Sequence, residues 1–342
     1  MNKEILGVID ATTYSSEIED LILHRSMAAI PFAGRYRLID FVLSNMVNSG
    51  IDSVAIFPKF QYRSLMDHLG SGKEWDLNRK RDGLFFFPSP SIDAKYQYLG
   101  CFKQFGNNID YFERSTQKYA LITNAYTVCN IDYKPILKRH IEANCDVTEV
   151  RHNGKSIEMF ILETSLLIDL IKNQEKTGYH SILDVVRDYR TKLKICDYEY
   201  RGYIAQIDSI QNYFKYSLEL LQPSIWKQLF LKDRPIYTKV KDEPPTRYLN
   251  GSLVKNSMIA NGCLIEGHVE NSIIFRGVKI DKNTVVKNSI IMQKSQIGSN
   301  CVLDSVILDK DVKIEDGLSI LGEHSNPFVI RKGTVQGALM NS

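Results

Sequence analysis

A repeat in the C-terminal part of the chain constrains the fold more than any other sequence feature. Four triplets, each a serine followed by two apolar residues, begin 15, 17 and 16 residues apart at Ser257, Ser272, Ser289 and Ser305. Single aliphatic residues followed by turn-forming residues lie between them, at Ile265, Ile280, Ile297 and Ile314. This period predicts a hexapeptide-type parallel β-helix with about three short strands per coil, in which each coil buries its aliphatic side chains by stacking on the next. The alternative, a β-sandwich, would alternate polar and apolar residues strictly and contain more aromatic residues.

A change in sequence pattern near residue 240 divides the chain into two predicted domains. The segment 239–246 contains Glu243-Pro244-Pro245, a natural linker. Before it, short apolar runs alternate with amphipathic stretches: strands are predicted at 5–9, 53–57 and 119–123, and helices at 37–48, 133–143 and 165–173. This alternation predicts a mostly parallel sheet with helices on both faces. We therefore expect an α/β domain over residues 1–240, followed by the β-helix over residues 247–342.

The composition argues against several classes of function. The 342 residues are 44% hydrophobic and 24% charged, with a formal net charge of +3. These values are ordinary for a soluble globular protein, and the charge is too small to predict nucleic acid or an anionic membrane as a partner. The N-terminus lacks the apolar stretch of a signal peptide, and no apolar run is long enough to span a bilayer. We expect a cytoplasmic protein.

The cysteines predict buried, reduced thiols rather than a disulfide framework or a metal site. Six are scattered along the chain, at Cys101, Cys129, Cys145, Cys196, Cys263 and Cys301. They form no CxxC pair and no His/Cys cluster, so a zinc site is not expected. Scattered cysteines in a chain of this size are typical of a reducing compartment.

Several sequence blocks resemble one enzyme family. Residues 30–41 read IPFAGRYRLIDF and are followed by LSN at 43–45 and VNSG at 47–50. Further blocks read HLGSGK at 68–73, WDL at 75–77, GY at 202–203 and IFRGV at 274–278. Together these blocks resemble the bacterial ADP-glucose pyrophosphorylases, or glucose-1-phosphate adenylyltransferases, over essentially the whole chain. The resemblance implies a nucleotidyltransferase domain with a Rossmann-like mixed sheet, followed by a left-handed parallel β-helix of hexapeptide repeats.

The resemblance also implies a reaction. In catalytic members of the family the α/β domain binds ATP, glucose 1-phosphate and Mg²⁺; a sugar phosphate oxygen attacks the α-phosphorus of ATP, and pyrophosphate leaves. Such chemistry needs a glycine-rich loop whose N–H groups cradle the phosphates. It also needs carboxylates that hold Mg²⁺ and cationic groups that stabilise the charge growing on the phosphate oxygens.

This chain departs from the catalytic pattern at the positions that carry that chemistry. The loop after the first strand, residues 10–18, contains no glycine, and Glu17 stands where the resemblance implies an arginine. Met27 stands in place of a phosphate-contacting lysine, and Tyr126 and Gln206 stand in place of the two metal carboxylates. We therefore predict no catalytic residue and no metal site, as in the family's non-catalytic regulatory subunits.

Two aspartates could replace the lost carboxylates. Asp132 and Asp208 lie close in sequence to the changed positions. Each also precedes a predicted helix, where an aspartate commonly caps the first turn. We expect both to be helix caps rather than metal ligands.

Basic residues provide candidates for an anionic effector site. From the resemblance, this site lies between the α/β domain and the β-helix, and the candidates are Arg35, Arg37, Lys73, Arg79, Lys80 and Arg276. Arginine can bind phosphate or carboxylate through two parallel hydrogen bonds. The alternative is that these side chains are structural, and Arg37 in particular could pair with Asp40 across a helix turn. The aromatic run at 84–88 is interpreted as a buried strand closed by Pro88, with a ligand wall as the alternative.

The preferred function is a regulatory or structural subunit of ADP-glucose pyrophosphorylase in glycogen biosynthesis. Its partner would be a catalytic homologue, in a heterotetramer, and a sugar phosphate would be the effector. ATP and Mg²⁺ would be used by the partner, with no cofactor bound by this chain. We expect residues 43–47 and the β-helix to contact other subunits. An active adenylyltransferase with a rebuilt site and a stand-alone sugar-phosphate sensor remain alternatives.

Overall fold

The computed structural model describes residues 4–59, 61–88, 99–188 and 190–337, and its N-terminal part is an α/β domain. The strands of this domain are β1 (Ile5–Ala11), β2 (Pro31–Phe32), β3 (Tyr36–Arg37), β4 (Ser53–Pro58), β5 (Gly83–Phe86), β6 (Tyr119–Asn124), β7 (Thr127–Val128), β8 (Val147–His152), β9 (Lys155–Glu163), β10 (Ile195–Glu199) and β11 (Ala205–Gln206). Its helices are α1 (Glu19–Ile22), α2 (Leu38–Asn48), α3 (Arg63–Leu69), α4 (Phe102–Gly106), α5 (Ile109–Arg114), α6 (Tyr133–Glu142), α7 (Thr164–Lys172), α8 (Gln174–Thr177), α9 (Ile182–Arg187), α10 (Ile210–Glu219) and α11 (Pro223–Leu229), with 3-10 turns at Ser16–Ile18, Met27–Ala29 and Lys73–Trp75. None of the helices in these described ranges is long and apolar enough to cross a membrane.

Seven strands form one sheet in the order β10-β8-β9-β6-β1-β4-β5. β1 pairs in parallel with β4 and β6, whereas β9 runs antiparallel between β6 and β8. β1 and β6 are buried along their whole length, as expected for central strands covered by helices on both faces. The mostly parallel sheet is confirmed. The carboxyl ends of β1, β4 and β6 meet at one edge, which we call the substrate edge because ligands of such sheets bind there.

The C-terminal part is a parallel β-helix with three strands per coil, as predicted. Its strands are β12 (Arg247–Tyr248), β13 (Leu253–Lys255), β14 (Met258–Ile259), β15 (Leu264–Ile265), β16 (His268–Glu270), β17 (Ile273–Ile274), β18 (Lys279–Ile280), β19 (Val285–Lys287), β20 (Ile290–Ile291), β21 (Gln296–Ile297), β22 (Val302–Asp304), β23 (Val306–Leu308), β24 (Lys313–Ile314), β25 (Ser319–Leu321), β26 (Phe328–Ile330) and β27 (Val335–Gln336). Every third strand joins the same parallel sheet, so the described part of the β-helix has three parallel sheets. The predicted inward residues Ile265, Ile280, Ile297 and Ile314 are at most 1% exposed.

The repeated serines fasten one coil to the next. The Ser272 hydroxyl accepts a hydrogen bond from the backbone N–H of Ser289 at 3.0 Å, and the Ser289 hydroxyl accepts one from Val306 at 3.1 Å. Asn256 and Asn271, which precede two of the serine triplets, have positive φ angles of 43° and 48°. The Asn256 amide donates to the Asn271 side chain at 2.8 Å. The repeat therefore encodes the corner of each coil as well as its core, because asparagine tolerates this backbone conformation better than most residues.

The α/β domain packs directly on the β-helix. Phe41, Tyr213 and Phe214 of the α/β domain share one buried cluster with Phe275 and Met292 of the β-helix. Such a continuous apolar interface fixes the two domains against each other, because separating them would expose these large side chains to water.

A buried ion pair also joins the two domains. The Arg25 guanidinium donates to both carboxylate oxygens of Asp309, at 2.8 and 3.0 Å, and to the carbonyl of Leu21 at 2.8 Å. Both charged side chains are 2% exposed. Each charge depends on the other, because neither can be solvated by water at that depth.

The prediction that all six cysteines are reduced is wrong for one pair. Cys145 and Cys196 form a disulfide, whereas Cys101, Cys129, Cys263 and Cys301 are free and buried, as expected. The bonded pair is separated by 51 residues in sequence. Parallel pairing of β10 with β8, in which Cys196 lies opposite Thr148, brings the two cysteines together. That register carries no sequence signal.

The prediction that residues 43–47 face another subunit is also wrong. Leu43 and Met46 are 0% exposed, and Asn45 is 1% exposed. The Asn45 amide donates to the Cys129 carbonyl inside the domain at 3.0 Å. α2 is buried over most of its circumference, because its apolar residues fill the core of their own chain. The strand predicted at 84–88 exists as β5, but Leu84, Phe85 and Phe86 are only partly buried.

Candidate functional site

The substrate edge begins at Asp10, near the end of β1. Its carboxylate is fully buried and accepts hydrogen bonds from the Thr12 N–H at 2.8 Å, the Thr12 hydroxyl at 2.6 Å and the Gly100 N–H at 2.6 Å. Burial raises the pKa of Asp10, and the hydrogen bonds from Thr12 and Gly100 oppose that shift. The carboxylate therefore ties the loop after β1 to the segment at Gly100, and these donors occupy it from within the chain.

The loop after β1 borders a cavity of about 300 Å³ lined by Thr12, Tyr14, Glu19, Arg25, Ser26 and Met27, among others. Met27 is 3% exposed, so the position where the resemblance implies a lysine is apolar and buried. Among the described residues that line the cavity, the positively charged side chain is that of Arg25, and its charge is already neutralised by Asp309. A triphosphate here would meet the Glu19 carboxylate without an available positive charge, which is unfavourable in a partly buried cavity.

Glu17 lies elsewhere. It is exposed, follows the helix cap Ser15, and lines a different cavity together with Asp20 and Phe328. The resemblance implies a phosphate-binding arginine at position 17, but it is Glu19, two residues later, that lines the cavity beside Met27. Glu19 also hydrogen-bonds the Tyr14 hydroxyl, and this bond raises the pKa of Tyr14. Helical spacing could have distinguished Glu17 from Glu19, because the 3-10 turn Ser16–Ile18 points consecutive side chains in different directions.

Tyr126 and Gln206 belong to paired segments near the same edge and are offset by one register position. Gln206 of β11 pairs with Thr127 of β7, the residue after Tyr126. The Tyr126 hydroxyl donates to the Glu158 carboxylate, which also accepts from the Asn124 amide at 3.3 Å. Burial is the largest cause that raises the pKa of Tyr126, and the negative charge of Glu158 raises it further. The phenol therefore keeps its proton and donates a hydrogen bond to Glu158.

These donors do not fit a Mg²⁺ site. Mg²⁺ prefers carboxylate oxygens in near-octahedral geometry, whereas a phenol and an amide stand at the two positions that the resemblance assigns to carboxylates. Glu158, the nearby carboxylate, is held by Tyr126 and Asn124 in a left-handed backbone conformation with φ of 58°. Across the described ranges, no group of three or more His, Cys, Asp or Glu side chains is arranged to hold a metal ion.

The two aspartates proposed as replacements are engaged elsewhere. Asp132 caps α6 by accepting from the Lys134 N–H at 3.0 Å, and it pairs with Arg234 at 3.0 Å. Its predicted capping role is confirmed. The prediction for Asp208 is wrong in position, because Ser209 caps α10. Asp208 instead accepts from the side-chain amide of Asn212 at 2.7 Å.

Three of the six effector candidates gather between the domains. Arg37 donates to the carbonyl of Ser64 at 2.5 Å and to its hydroxyl at 3.1 Å, rather than pairing its guanidinium with Asp40. Burial lowers the pKa of Arg37 to about 10, and the neighbouring charge of Arg276 contributes to that shift. Burial lowers the pKa of Arg276 too, and the charge of Arg35 contributes. Arg35, Arg37 and Arg276 therefore lie within electrostatic range of one another.

Lys310 belongs to the same region and was missed in the sequence. Burial lowers its pKa to about 7, and the charges of Arg37 and Arg25 lower it further. The coil register could have revealed this residue. Ile274, Ile291 and Leu308 are in register in one sheet, so Arg276 and Lys310, each two residues after its strand, lie at one corner two coils apart. We call Arg35, Arg37, Arg276 and Lys310 the basic cluster.

The other three candidates lie apart from the basic cluster. Lys73 and Arg79 line a cavity of about 360 Å³ together with Trp75 and Tyr237. Arg79 is paired with the carboxylate of Asp52 at 3.1 Å and with that of Asp76. Lys80 is exposed. Acidic neighbours thus pair directly with Arg79. In the basic cluster, burial and neighbouring cations lower the pKa values of Arg37, Arg276 and Lys310 despite the opposing charges of Asp40, Glu243 and Asp309.

Known proteins resemble both domains. Residues 16–157 match the Nucleotidyl transferase family, and residues 244–327 match the family described as GlmU-like, C-terminal hexapeptide. The chain is 65% identical to the glycogen biosynthesis protein GlgD of Geobacillus stearothermophilus over 342 residues, which cover 100% of both chains. It is 58% identical to that of Bacillus subtilis (strain 168) over 341 residues, which cover 100% of this chain and 99% of the relative.

A more distant relative carries the name of an enzyme. The glucose-1-phosphate adenylyltransferase of Mycoplasma mobile is 31% identical over 330 residues, which cover 84% of this chain and 86% of the relative. The higher identity is thus to proteins named for glycogen biosynthesis rather than for a reaction. The phenol and the amide at positions 126 and 206, where the resemblance implies carboxylates, are compatible with this pattern. The chain belongs to the GlgD family of glycogen biosynthesis proteins, which is related to the glucose-1-phosphate adenylyltransferases.

Proposed function

We propose that this chain is a non-catalytic regulatory subunit that modulates a catalytic glucose-1-phosphate adenylyltransferase in glycogen biosynthesis. The observation that carries the proposal is the hydrogen bond from the Tyr126 hydroxyl to Glu158, which puts a neutral phenol and an occupied carboxylate where catalysis needs a metal ion. The buried Met27 supports it, because an apolar side chain lies where the resemblance implies a phosphate-contacting lysine. The partner would bind ATP and Mg²⁺, and this chain would bind neither.

The basic cluster supplies the regulatory part of the proposal. An anionic sugar phosphate fits this cluster, because Arg37 and Arg276 can donate paired hydrogen bonds to phosphate oxygens. Lys310 would gain a counter-ion for an ammonium that burial and its cationic neighbours destabilise. Phosphate binding would relieve the mutual repulsion of the cluster, so the ligand has an electrostatic reason to choose this location.

A non-catalytic subunit can still control turnover. A ligand shifts its partner's equilibrium if it binds two states of the assembly with different affinity. The basic cluster has residues from both domains, so an effector there would respond to how the domains are placed. We propose a hetero-oligomer, with a heterotetramer as the expected form.

The central experiment compares three samples: this chain alone, a catalytic homologue alone, and the two mixed. Each is assayed for ADP-glucose formation from ATP, glucose 1-phosphate and Mg²⁺, with and without a hexose bisphosphate. We expect no product from this chain alone and a changed maximal rate, substrate affinity or effector response in the mixture. Typical coupling corresponds to roughly five- to 150-fold in affinity. An unchanged homologue would reject the regulatory proposal.

The assembly is tested separately from the catalytic effect. Light scattering of the mixture should detect a species larger than either sample alone. Turnover by this chain alone near the median enzyme rate of about 10 s⁻¹ would instead favour an active enzyme with a rebuilt site. Effector binding by this chain without any complex formation would favour a stand-alone sensor.

A further inference from the structure

A further cavity, which reaches the end of the sheet opposite the substrate edge, belongs neither to that edge nor to the basic cluster. Its volume is about 770 Å³, and its lining includes Ser53, the first residue of β4, and Asp82, the residue before β5. β4 and β5 are parallel, with Ser53 paired to Gly83. The cavity therefore extends from the amino ends of these strands along the face of β5 to Phe87, whereas Asp10 lies near the carboxyl end of β1. Its volume is within the range of about 300–1,000 Å³ that is usual for small-molecule sites.

Three aromatic rings form one wall of this cavity. In β5 and the residue after it, side chains alternate between the two faces of the sheet. Phe85 and Phe87 line the cavity, while Leu84 and Phe86 pack against the core on the other face. The Phe85 and Phe87 rings are nearly parallel, 3° apart, and the Tyr111 ring lies 4.9 Å from each. The hydroxyls of Tyr111 and Ser53 hydrogen-bond at 3.3 Å, which satisfies the polar end of Tyr111.

The charged groups around this wall balance. Arg81 and Arg114 contribute two positive charges, and Asp82 and Asp110 contribute two negative ones. Arg114 lies 4.0 Å from Asp110, and both side chains are largely exposed. A phosphate in this cavity would approach two carboxylates as closely as two guanidinium groups, so net attraction is lacking. This balance contrasts with the basic cluster, where cations predominate.

A neutral ligand with many hydroxyl groups matches this combination. Hydroxyls both donate and accept hydrogen bonds, so they can use guanidinium donors and carboxylate acceptors at once. The C–H face of a pyranose ring is apolar and can pack on aromatic rings such as those of Phe85, Phe87 and Tyr111. A nucleobase could also stack on this wall, but it would use few of the charged groups at the rim.

We propose that this cavity binds a short α-linked glucose oligomer, such as the end of a glycogen chain. The choice of sugar rests on the proposed function in glycogen biosynthesis, whereas the choice of a neutral polyol rests on the cavity itself. Such a site would hold the subunit on the polymer whose synthesis it serves, away from the substrate edge and from the effector cluster. Phe85 would pack on a sugar ring.

The test uses the intact chain, without the catalytic homologue. Migration in native gels with and without glycogen is compared, and the affinity for maltotriose is measured by calorimetry. Phe85→Leu should weaken maltotriose binding about tenfold, the effect of losing an aromatic contact worth near 1.4 kcal/mol. Phe86→Leu is the matched control, because its side chain is on the other face of the same strand. Thermal unfolding of both variants confirms that they are folded.

The proposal requires glycogen to retard the wild type and Phe86→Leu clearly more than Phe85→Leu at the same glycogen concentration. Equal binding by Phe85→Leu and the wild type would overturn it, and so would absence of maltotriose binding. Displacement of maltotriose by adenosine at equal concentration would overturn it in favour of a base-stacking site. Tighter binding of glucose 1-phosphate at Phe85 would overturn the neutral-sugar argument. Because no ADP-glucose is measured, this outcome is independent of whether the chain regulates a homologue.

Discussion

The substrate edge and the basic cluster are both charged, but they differ in sign and in what satisfies their charges. At the substrate edge, Asp10 and Glu158 accept hydrogen bonds from donors of the same chain. In the basic cluster, Arg37 and Lys310 lie beside other cations, and their pKa values are lowered to about 10 and about 7. Arg37 also has an internal partner, Ser64, but the pKa values of Arg37 and Lys310 remain lowered despite the opposing charges of Asp40 and Asp309. An added anion would oppose that shift. The contrast supports the proposal that this chain binds an anionic effector and no nucleotide.

The largest effect is expected on the free energy of unfolding, when the carboxylate that pairs with Arg25 beside the basic cluster is removed. Arg25 lies near the cluster, but Asp309 neutralises it in a pair that is 2% exposed on both sides. Asp309→Asn should lower the free energy of unfolding by about 3–5 kcal/mol, because a buried cation loses its partner. Urea unfolding measures the change. Asp20→Asn is the control, since its pair with Arg331 is exposed and should contribute only about 0–1 kcal/mol. Similar costs for the two variants would contradict the contrast.

A smaller effect is expected when a cation of the open cluster is removed. Arg276→Gln should weaken the binding of a hexose bisphosphate roughly ten- to 100-fold, because a hydrogen bond to a charged group is worth about 1.5–3 kcal/mol. Calorimetry of the folded variant gives the affinity. Arg247→Gln, in the exposed strand β12, is a matched control on the same domain and should leave binding unchanged. Equal affinities for both variants would remove Arg276 from the cluster.

The pH dependence of binding should be smaller still, and its sign follows from Lys310. Its pKa is lowered to about 7 by burial and by Arg37, Arg25 and Lys332, while Asp309 opposes the shift. The ammonium is charged below this value, so affinity for the bisphosphate should fall as pH rises from about 6 to 8, by less than tenfold per unit. Calorimetry across this range provides the test. Lys310→Met should remove the fall in affinity that Lys310 causes and leave the dependence that comes from ionisation of the phosphates, whose second pKa is about 6.

The same lowered pKa changes stability without any ligand. Between about 7 and the ordinary lysine value of 10.5, the unfolded chain binds more protons at Lys310 than the folded chain does. The contribution of Lys310 to the free energy of unfolding should therefore increase as pH rises through this window. A Lys310→Met variant should show a flatter stability profile in urea titrations between pH 7 and about 9. Identical profiles for both proteins would contradict the assignment.

The smallest effect is expected from restoring the metal carboxylates. Tyr126→Asp combined with Gln206→Asp should leave ADP-glucose synthesis at background, because Met27 remains apolar and the loop after β1 still lacks glycine. A coupled pyrophosphate assay with ATP, glucose 1-phosphate and Mg²⁺ detects any gain. Turnover within tenfold of a typical 10 s⁻¹ would show that the two carboxylates are the only missing parts, with about 1.4 kcal/mol for each factor of ten.

Much of the architecture could be predicted from periodicity. The period of the serine triplets predicted the coils of the β-helix, because each repeated unit must bury its aliphatic side chains against the next. The predicted strands and helices of the α/β domain match the structure within two residues at each end. Long-range register could not be predicted, since the approach of Cys145 to Cys196 depends on how β10 adds to β8. The burial of Leu43 likewise depends on what covers α2, which periodicity does not reveal.

The candidate sites were predicted less completely than the fold. Tyr126 and Gln206 were predicted to replace metal ligands, but the donation from Tyr126 to Glu158 was not, because the two residues lie 32 apart in sequence. Lys310 was missed because its lowered pKa arises from tertiary burial rather than from neighbouring residues in the chain. Conversely, the resemblance grouped Lys73 with Arg37, but the structure places Lys73 in a separate cavity. The charged residues can be read from the sequence, but which of them lie together in a buried region of low dielectric constant depends on the fold.

The buried pair of Arg25 and Asp309 also has a mechanical consequence. Arg25 begins the segment that contains Met27 at the substrate edge, and Asp309 directly precedes Lys310 in the basic cluster. Two short hydrogen bonds join them, so a displacement of Lys310 by an effector would be transmitted to the loop beside Thr12 rather than absorbed between the domains. On the proposed function, the loop after β1 would then change position when an effector binds at the basic cluster. A subunit packed against this loop would respond to that change.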